Sequence, residues 1–440
     1  MRTGVKPFGK LQTLLLPFLC VFTITASGQR YLSDYDSTLF IRDTVRPVVK
    51  RFENLHIGAY IQPQYQVASE KGAATFAGGN FQKLSDNRFM LRRARVKIDY
   101  KLPGKDGVFP AALFTFQFEA TERDVNVRDM FVRIYEPGKN NFSLTTGLFA
   151  RPFGYEVNLS SSFRETPERG RMSQTLMPSE RDLGAMVSYE KQKPKRQGLQ
   201  LKYDIGLFNG QGKSGPAEFD SYKDLISRLT LKPLHLSSNI LLSGGLSFLS
   251  GGWAQATRHV YQIKEGNGAA VFAVDSSLKN IGAKAERQYY GADLQLAYEH
   301  GWGKTEIRGE YWRGKQPGTQ NTTVNPGTLP EGPTYIRDFD GAFFYFLQNI
   351  VNKKWELVVK YDWYDPNRKV KKEEIGSTGG NFGAGDIRFN TVGIGMTHYF
   401  TNTLKLLVYY DAVQNEKTLL SGYTGDLKDN VLTCRIQMRF

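Results

Sequence analysis

The sequence predicts an all-β fold: a transmembrane antiparallel β-barrel of about 16 strands, with short turns at one end and long loops at the other. Three observations carry that prediction. Segments of alternating apolar and charged residues recur along the chain, and a period of two suits strands set between lipid and a watery lumen. The chain holds 29 Phe, 23 Tyr and 5 Trp although its mean hydropathy is −0.42, as two interfacial aromatic girdles require. The connections between the alternating segments also fall into a short class and a long class that take turns.

Residues 1–28 read as a secretory signal peptide. Arg2, Lys6 and Lys10 precede the apolar run Leu14 to Ile24, and Ala26, Ser27 and Gly28 supply small residues before Gln29. The junction resembles those common in Bacteroidetes. Beyond it, no apolar run reaches the roughly 18 residues of a spanning helix. Residues 29–53 are too short for a plug domain and read as a periplasmic lead-in. Removing the signal leaves one cysteine, Cys434, which excludes an internal disulfide. The formal charge is +15, and subtracting the three signal cations leaves +12. A basic excess suits nucleic acid, an acidic membrane surface or anionic solutes, and export removes nucleic acid from that set.

Residues 54–440 read as the barrel. Strands begin near Asn54, Asn87, Phe109, Asn126, Phe142, Asp182, Leu199, Asp224, Ile240, Arg287, Gly303, Gly341, Lys354, Ile387, Leu404 and Val431. Turn residues such as Pro103 to Gly107, Pro137 to Asn140, His300 to Trp302 and Thr401 to Thr403 make the short connections. The long ones are Val67 to Asp86, Arg151 to Arg181, Asn209 to Lys223, Ser250 to Glu286, Gln316 to Asp340, Pro366 to Asp386 and Asn415 to Asn430. Short periplasmic turns and long extracellular loops are the asymmetry of a bacterial outer-membrane barrel. A soluble sandwich has no reason to sort its loops by length.

The alternation also assigns faces. In the segment from Asn87, the apolar residues Ala94, Val96, Ile98 and Tyr100 oppose Arg93, Arg95, Lys97 and Asp99. From Lys354, Trp355, Leu357, Val359, Tyr361 and Trp363 oppose Glu356, Lys360 and Asp362. From Gly303, Ile307 and Tyr311 oppose Glu306, Arg308 and Glu310. A charge on the lipid face costs about 2–4 kcal/mol at the midplane, so the charged faces point inward. Most of these mixed charges need do no more than solvate the wall. Arg93, Arg95 and Lys97 differ: they stack about 7 Å apart with no acidic run beside them, a column that can pass an anion from site to site. In Val431 to Phe440, Leu432, Cys434, Ile436, Met438 and Phe440 oppose Thr433, Arg435, Gln437 and Arg439. A terminal Phe440 on the lipid face resembles the signal that outer-membrane barrels present to the barrel-assembly machinery.

Four motifs in order resemble a known family. Phe89-Met90-Leu91-Arg92-Arg93-Ala94-Arg95 is similar to its "F-x-x-R-R-A-R" strand, and Gly147 to Glu156 to its "G-x-F-x-x-P-F-G-x-E" signature. Glu168-Arg169 and Arg181-Asp182-Leu183-Gly184 follow at matching places. The family is the phosphate-selective porin O and P family. The resemblance, concentrated in residues 87–210, implies a 16-stranded outer-membrane porin, usually a homotrimer, that passes small anions. The chain departs from the family's long arginine ladder, having one short basic column. The resemblance therefore supports fold and transport better than phosphate as the solute, and polyphosphate or acidic sugars stay open.

Residues 151–181 fall between the fifth and sixth strands, where general porins fold a long loop inward to narrow the pore. The segment carries Arg151, Arg164, Arg169, Arg171 and Arg181 against Glu156, Glu165, Glu168 and Glu180. Guanidinium groups suit phosphate and carboxylate because they donate in a planar fork. The same charges can equally form an internal network that stiffens the loop. Both readings stand at this point.

Enzymatic signatures are missing. His56, His235, His259, His300 and His398 are dispersed without metal-ligand spacing, and there is no G-x-S-x-G elbow or P-loop. His398 shares the apolar face of Val392, Ile394 and Met396, an interfacial position. No cofactor is called for. Three readings remain: a passive channel for small anions, with an open basic lumen; a barrel enzyme with a closed lumen; and an adhesion barrel whose long loops bind partners. Loop lengths, basic faces and the resemblance favour the channel.

Overall fold

The computed structural model describes residues 53–105, 109–191, 198–213, 215, 217–266 and 269–440. The expected signal peptide and all but Glu53 of the expected lead-in lie outside these residues. The barrel unit runs from Asn54 to Phe440.

Alternation sets the strands, because each puts its apolar side chains on the lipid side and its polar ones inside. They are β1 (Leu55–Ala68), β2 (Asn87–Pro103), β3 (Pro110–Ala120), β4 (Val125–Tyr135), β5 (Phe142–Ala150), β6 (Arg181–Glu190), β7 (Leu201–Phe208), β8 (Asp224–His235) and β9 (Ile240–Ala254). After a hairpin, β10 (Val260–Gly266) and β11 (Ala269–Asp275), come β12 (Lys284–His300), β13 (Gly303–Gly318), β14 (Thr334–Ile350), β15 (Asn352–Asp365), β16 (Phe389–Tyr399), β17 (Leu404–Asn415) and β18 (Val431–Arg439). Leaving out the hairpin, 16 strands pair antiparallel in chain order, and β18 pairs with β1 to close the barrel. Closure fixes Tyr60 opposite Arg439 and Gln64 opposite Arg435. No sheet edge is left within the bilayer, the condition for a strand-built protein to sit in lipid.

The faces follow the pattern. On β18, Leu432, Ile436 and Met438 are exposed on the outside while Thr433, Arg435 and Gln437 are buried within. On β13, Ile307 and Tyr311 face out, and Glu306, Arg308 and Glu310 are buried inside. His398 lies between the rings of Trp355 and Phe400, 4.1 and 4.6 Å away, in an outward aromatic group near the periplasmic turns. An apolar band bordered by aromatic residues around a closed, even-stranded barrel is the outer-membrane type.

Three features differ from the sequence expectation. The segment Ser250 to Glu286, expected to be a loop, contains the β10–β11 hairpin. Its residues Val260–Gln262 run parallel to Thr334–Ile336. β14 begins at Thr334 instead of near Gly341. The reason is that β14 outruns the bilayer. Asp338 and Asp340 point outward above the lipid while Tyr335, Arg337 and Phe339 point inward, so the apolar-out rule fails there. One extracellular connection is also short, residues 121–124 between β3 and β4.

The lumen is not evenly filled. A buried cluster inside the barrel joins Phe149, Phe153, Val157, Met172, Leu176, Phe208, Tyr289, Trp312 and Phe339. A second joins Phe343, Tyr345, Leu347, Val358, Leu407 and Tyr409, with Tyr155 packed on it. The segment 151–180 is the common partner of both.

Candidate functional site

The segment between β5 and β6 enters the lumen at Gly154. Its φ is +67°, and a Cβ there would meet Glu310 Oε1 at 2.1 Å and Trp312 at 2.8 Å, so only glycine fits this entry. Glu310 then accepts the backbone N–H groups of Tyr155 and Glu156, at 3.0 and 2.9 Å. Phe153 packs edge-on against Trp312, with ring centroids 4.7 Å apart. A short helix, α1 (Arg171–Leu176), follows, and Glu156 ties its start by accepting from Gly170 N and Ser173 Oγ. One edge of the segment is thus fixed to the β13 wall by apolar packing and by the hydrogen bonds to Glu310.

The other edge is fixed by charge. Glu168 receives Arg92 (2.8 Å), Arg93 (2.5 Å) and Arg435 (3.2 Å), drawn from β2 and β18. Glu180 receives Arg128, Arg181 (2.6 Å) and Arg169 (3.1 Å), with Arg164 at 3.9 Å. Burial alone would push both carboxyls up. The surrounding guanidinium groups instead hold them well below the usual carboxylate range. Glu165 pairs with Arg308 at 2.8 Å, and Ser161 accepts from Arg95 and from Gln62 through its hydroxyl and carbonyl.

Each residue singled out in the sequence has a definite place. Arg93 is buried on Glu168, and Arg95 pairs with Glu119. Lys97 pairs with Asp99 at 2.8 Å. Carboxylates from the loop and from β3 thus meet the basic column, a juxtaposition that neighbouring sequence does not display. Arg151 is fully buried and donates to the Ser179 carbonyl. Arg164 donates to the Leu159 carbonyl, at 3.2 Å, and Arg169 to those of Ser173 and Met177, at 2.9 and 3.0 Å. Arg171 lies between the Phe389 and Phe76 rings, 3.7 and 4.4 Å from their centroids, and 3.7 Å from Asp429. Burial pushes the Asp429 carboxyl up to about 6 against that pair. Arg181 also binds Asp129 at 3.0 Å.

Cations outnumber carboxylates around Glu119, Asp129 and Glu180. Arg95, Arg128, Arg164, Arg169 and Arg181 share these three, and Lys213 approaches from the next loop. Burial, with Arg128, Arg95 and Arg181 nearby, lowers the Lys213 ammonium from its ordinary range despite Glu119. Two buried donors of Arg164, Nε and Nη1, have no hydrogen-bond partner among the described residues.

Beneath the segment, on the β1–β8 side, lies a vestibule of about 920 Å³. Its lining side chains include Arg95, Lys97, Arg133, Arg181, Lys202, Arg228 and Arg439, against the carboxylates Asp99, Asp129 and Asp204. Among the described residues, Arg133 and Arg439 form no ion pair. Arg133 donates to Thr145 Oγ1 at 2.9 Å and Arg439 to the Asn402 carbonyl at 3.2 Å. Neither was singled out from the sequence alone, nor were Arg128, Lys202 and Arg228. The inward face of the last strand had already placed Arg439 within the lumen.

A 16-stranded barrel, a segment folded inward after the fifth strand and a basic vestibule beside it are now in place. The fold is that of an outer-membrane porin. No family model matches the sequence, and neither does any curated protein. Solved structures do match. The outer membrane channel DcaP of Acinetobacter baumannii is 12% identical, with 88% of this chain and 97% of that one covered at a TM-score of 0.51. OprB of Pseudomonas putida is 9% identical, with 91% and 97% covered at 0.56. An anion-selective porin from Comamonas acidovorans is 12% identical, with 88% and 99% covered at 0.51. At such identities the likeness speaks to the porin fold. The closed barrel and its lipid-facing band make the bacterial outer membrane its location.

Proposed function

We propose that the chain is an outer-membrane porin that passes small anionic solutes by passive diffusion, without a cofactor and without catalysis. The observation that carries this reading is the vestibule lining, in which seven cationic side chains stand against three side-chain carboxylates. Glu119, Glu180 and Asp293 meet Arg95, Arg181 and Arg228 from behind it, and Arg133 and Arg439 form no ion pair among the described residues. A lumen of one sign raises the local concentration of the opposite charge and biases diffusion. Barrels of about 16 strands are too wide for wall side chains alone to fill. Here one apolar cluster draws wall residues from β5–β9 and β12–β15 and the other from β14, β15 and β17, and the passage runs through the open vestibule along β1–β8 and the β18 seam. The inward segment, 151–180, forms its constriction.

Arg93, Arg95, Arg164, Arg169 and Arg181 then act mainly by holding that segment, and their field outweighs the carboxylates they bind. Such an arrangement favours general anion preference over a dedicated phosphate or polyphosphate site. Homotrimer assembly and recognition of Phe440 by the barrel-assembly machinery belong to the same proposal, supported by the motif resemblance. Liposome swelling tests the reading. Vesicles with the purified protein are expected to admit gluconate faster than a neutral hexose of similar size. Equal rates would remove the anion preference, and no swelling would remove the porin.

A further inference from the structure

Phe163 stands apart from its surroundings. Most residues of segment 151–180 are buried, yet its ring is 59% exposed and lines the vestibule inside the barrel. The Arg439 guanidinium lies 4.7 Å from the Phe163 ring centroid and has no carboxylate partner among the described residues. In the strand register Tyr60 sits opposite both Arg439 on β18 and Arg95 on β2. Arg95 lies 5.6 Å from the Tyr60 ring, and Tyr60 Oη is 2.6 Å from Ser161 Oγ. Two aromatic rings and two guanidinium groups thus alternate across three adjacent strands and the underside of the loop.

We propose that this sector binds an organic anion with a planar apolar face, of the aromatic carboxylate class. The inference rests on the anion-porin reading and names a solute class for it. Inorganic anions can use Arg439 but leave Phe163 wet. A short aliphatic acid covers little of the ring. An aromatic carboxylate does both, stacking its ring on Phe163 and placing its carboxylate at Arg439, with the guanidinium polarised between acid and ring. The vestibule, at about 920 Å³, falls within the range of roughly 300–1,000 Å³ typical of small-molecule sites.

The test is a titration of the folded full chain in detergent with benzoate and with acetate, run alongside Phe163→Ala and Phe163→Tyr. Benzoate is expected to bind roughly three- to tenfold more tightly than acetate, the span of one aromatic contact. Phe163→Ala should erase that ratio and Phe163→Tyr should keep it. Equal affinities in the native protein, or a ratio that survives Phe163→Ala, would overturn the inference. Conductance is read separately in bilayers. Benzoate binding without conductance would remove the porin reading alone, and conductance with equal affinities would remove the aromatic site alone.

Discussion

Glu168 gathers three guanidinium groups from two strands that are remote in sequence, and its side chain is only 7% exposed. Glu168→Gln would leave Arg93 and Arg435 as buried cations short of a countercharge. Breaking a buried pair from one side costs about 3–5 kcal/mol. The variant should therefore unfold at lower urea concentration, read from the heat-dependent gel shift of the barrel. A stability equal to native would show that the network is ornamental. The same residues set a pH response. Glu168 and Glu180 have folded pKa values below their ordinary 4.5, so they bind protons less readily when folded. Their contribution is full above about 4.5 and declines as the pH falls toward the folded values. Amide-exchange protection of residues 151–180 should accordingly drop on acidification below that point while the strands stay protected.

At the scale of elements, β2 carries two roles that the sequence presents as one. Arg93 and Arg95 look like a free basic column, yet Glu168 and Glu119 come from elsewhere to meet them. A column of this kind is legible from alternation; its partners are not, because a loop folding inward leaves no periodic trace. Arg93→Glu with Arg95→Glu would weaken anion preference and also release the loop, confounding the two effects. Arg133→Glu with Lys202→Glu is cleaner, since Arg133 forms no ion pair among the described residues, donating to Thr145 and lying 5.8 Å from the Phe131 ring, and Lys202 pairs locally with Asp204. That pair is expected to move the reversal potential toward cation preference with the fold intact, and an unchanged potential would take the vestibule out of the selectivity. The β10–β11 hairpin was hidden for another reason. It lies above the bilayer, where Phe272 and Tyr335 pack inward and the lipid rule no longer applies. Because it adds to the outer rim and takes no part in closure, its deletion should leave the heat-modifiable barrel and its conductance in place.

At the scale of the molecule, strand number, closure and faces were legible because lipid imposes one rule on every strand. Fourteen of the sixteen expected starts fall within about two residues of the observed ones, as at Asn87, Phe142, Asp224, Ile240 and Val431; β12 begins three residues early and β14 is the large exception. The uneven filling of the lumen was not legible. Trp312, Phe339 and Tyr345 are aromatic residues on inward strand faces, and a rule that reads apolar as outward misassigns them. Their packing with segment 151–180 narrows the lumen and leaves the basic vestibule along β1–β8 as open space, on which the proposed selectivity depends. The measurement that bears on it most directly is the reversal potential of single channels of the native protein across a potassium chloride gradient. The account predicts a potential with the sign of chloride preference, and a potential at zero or with the sign of potassium preference would contradict it.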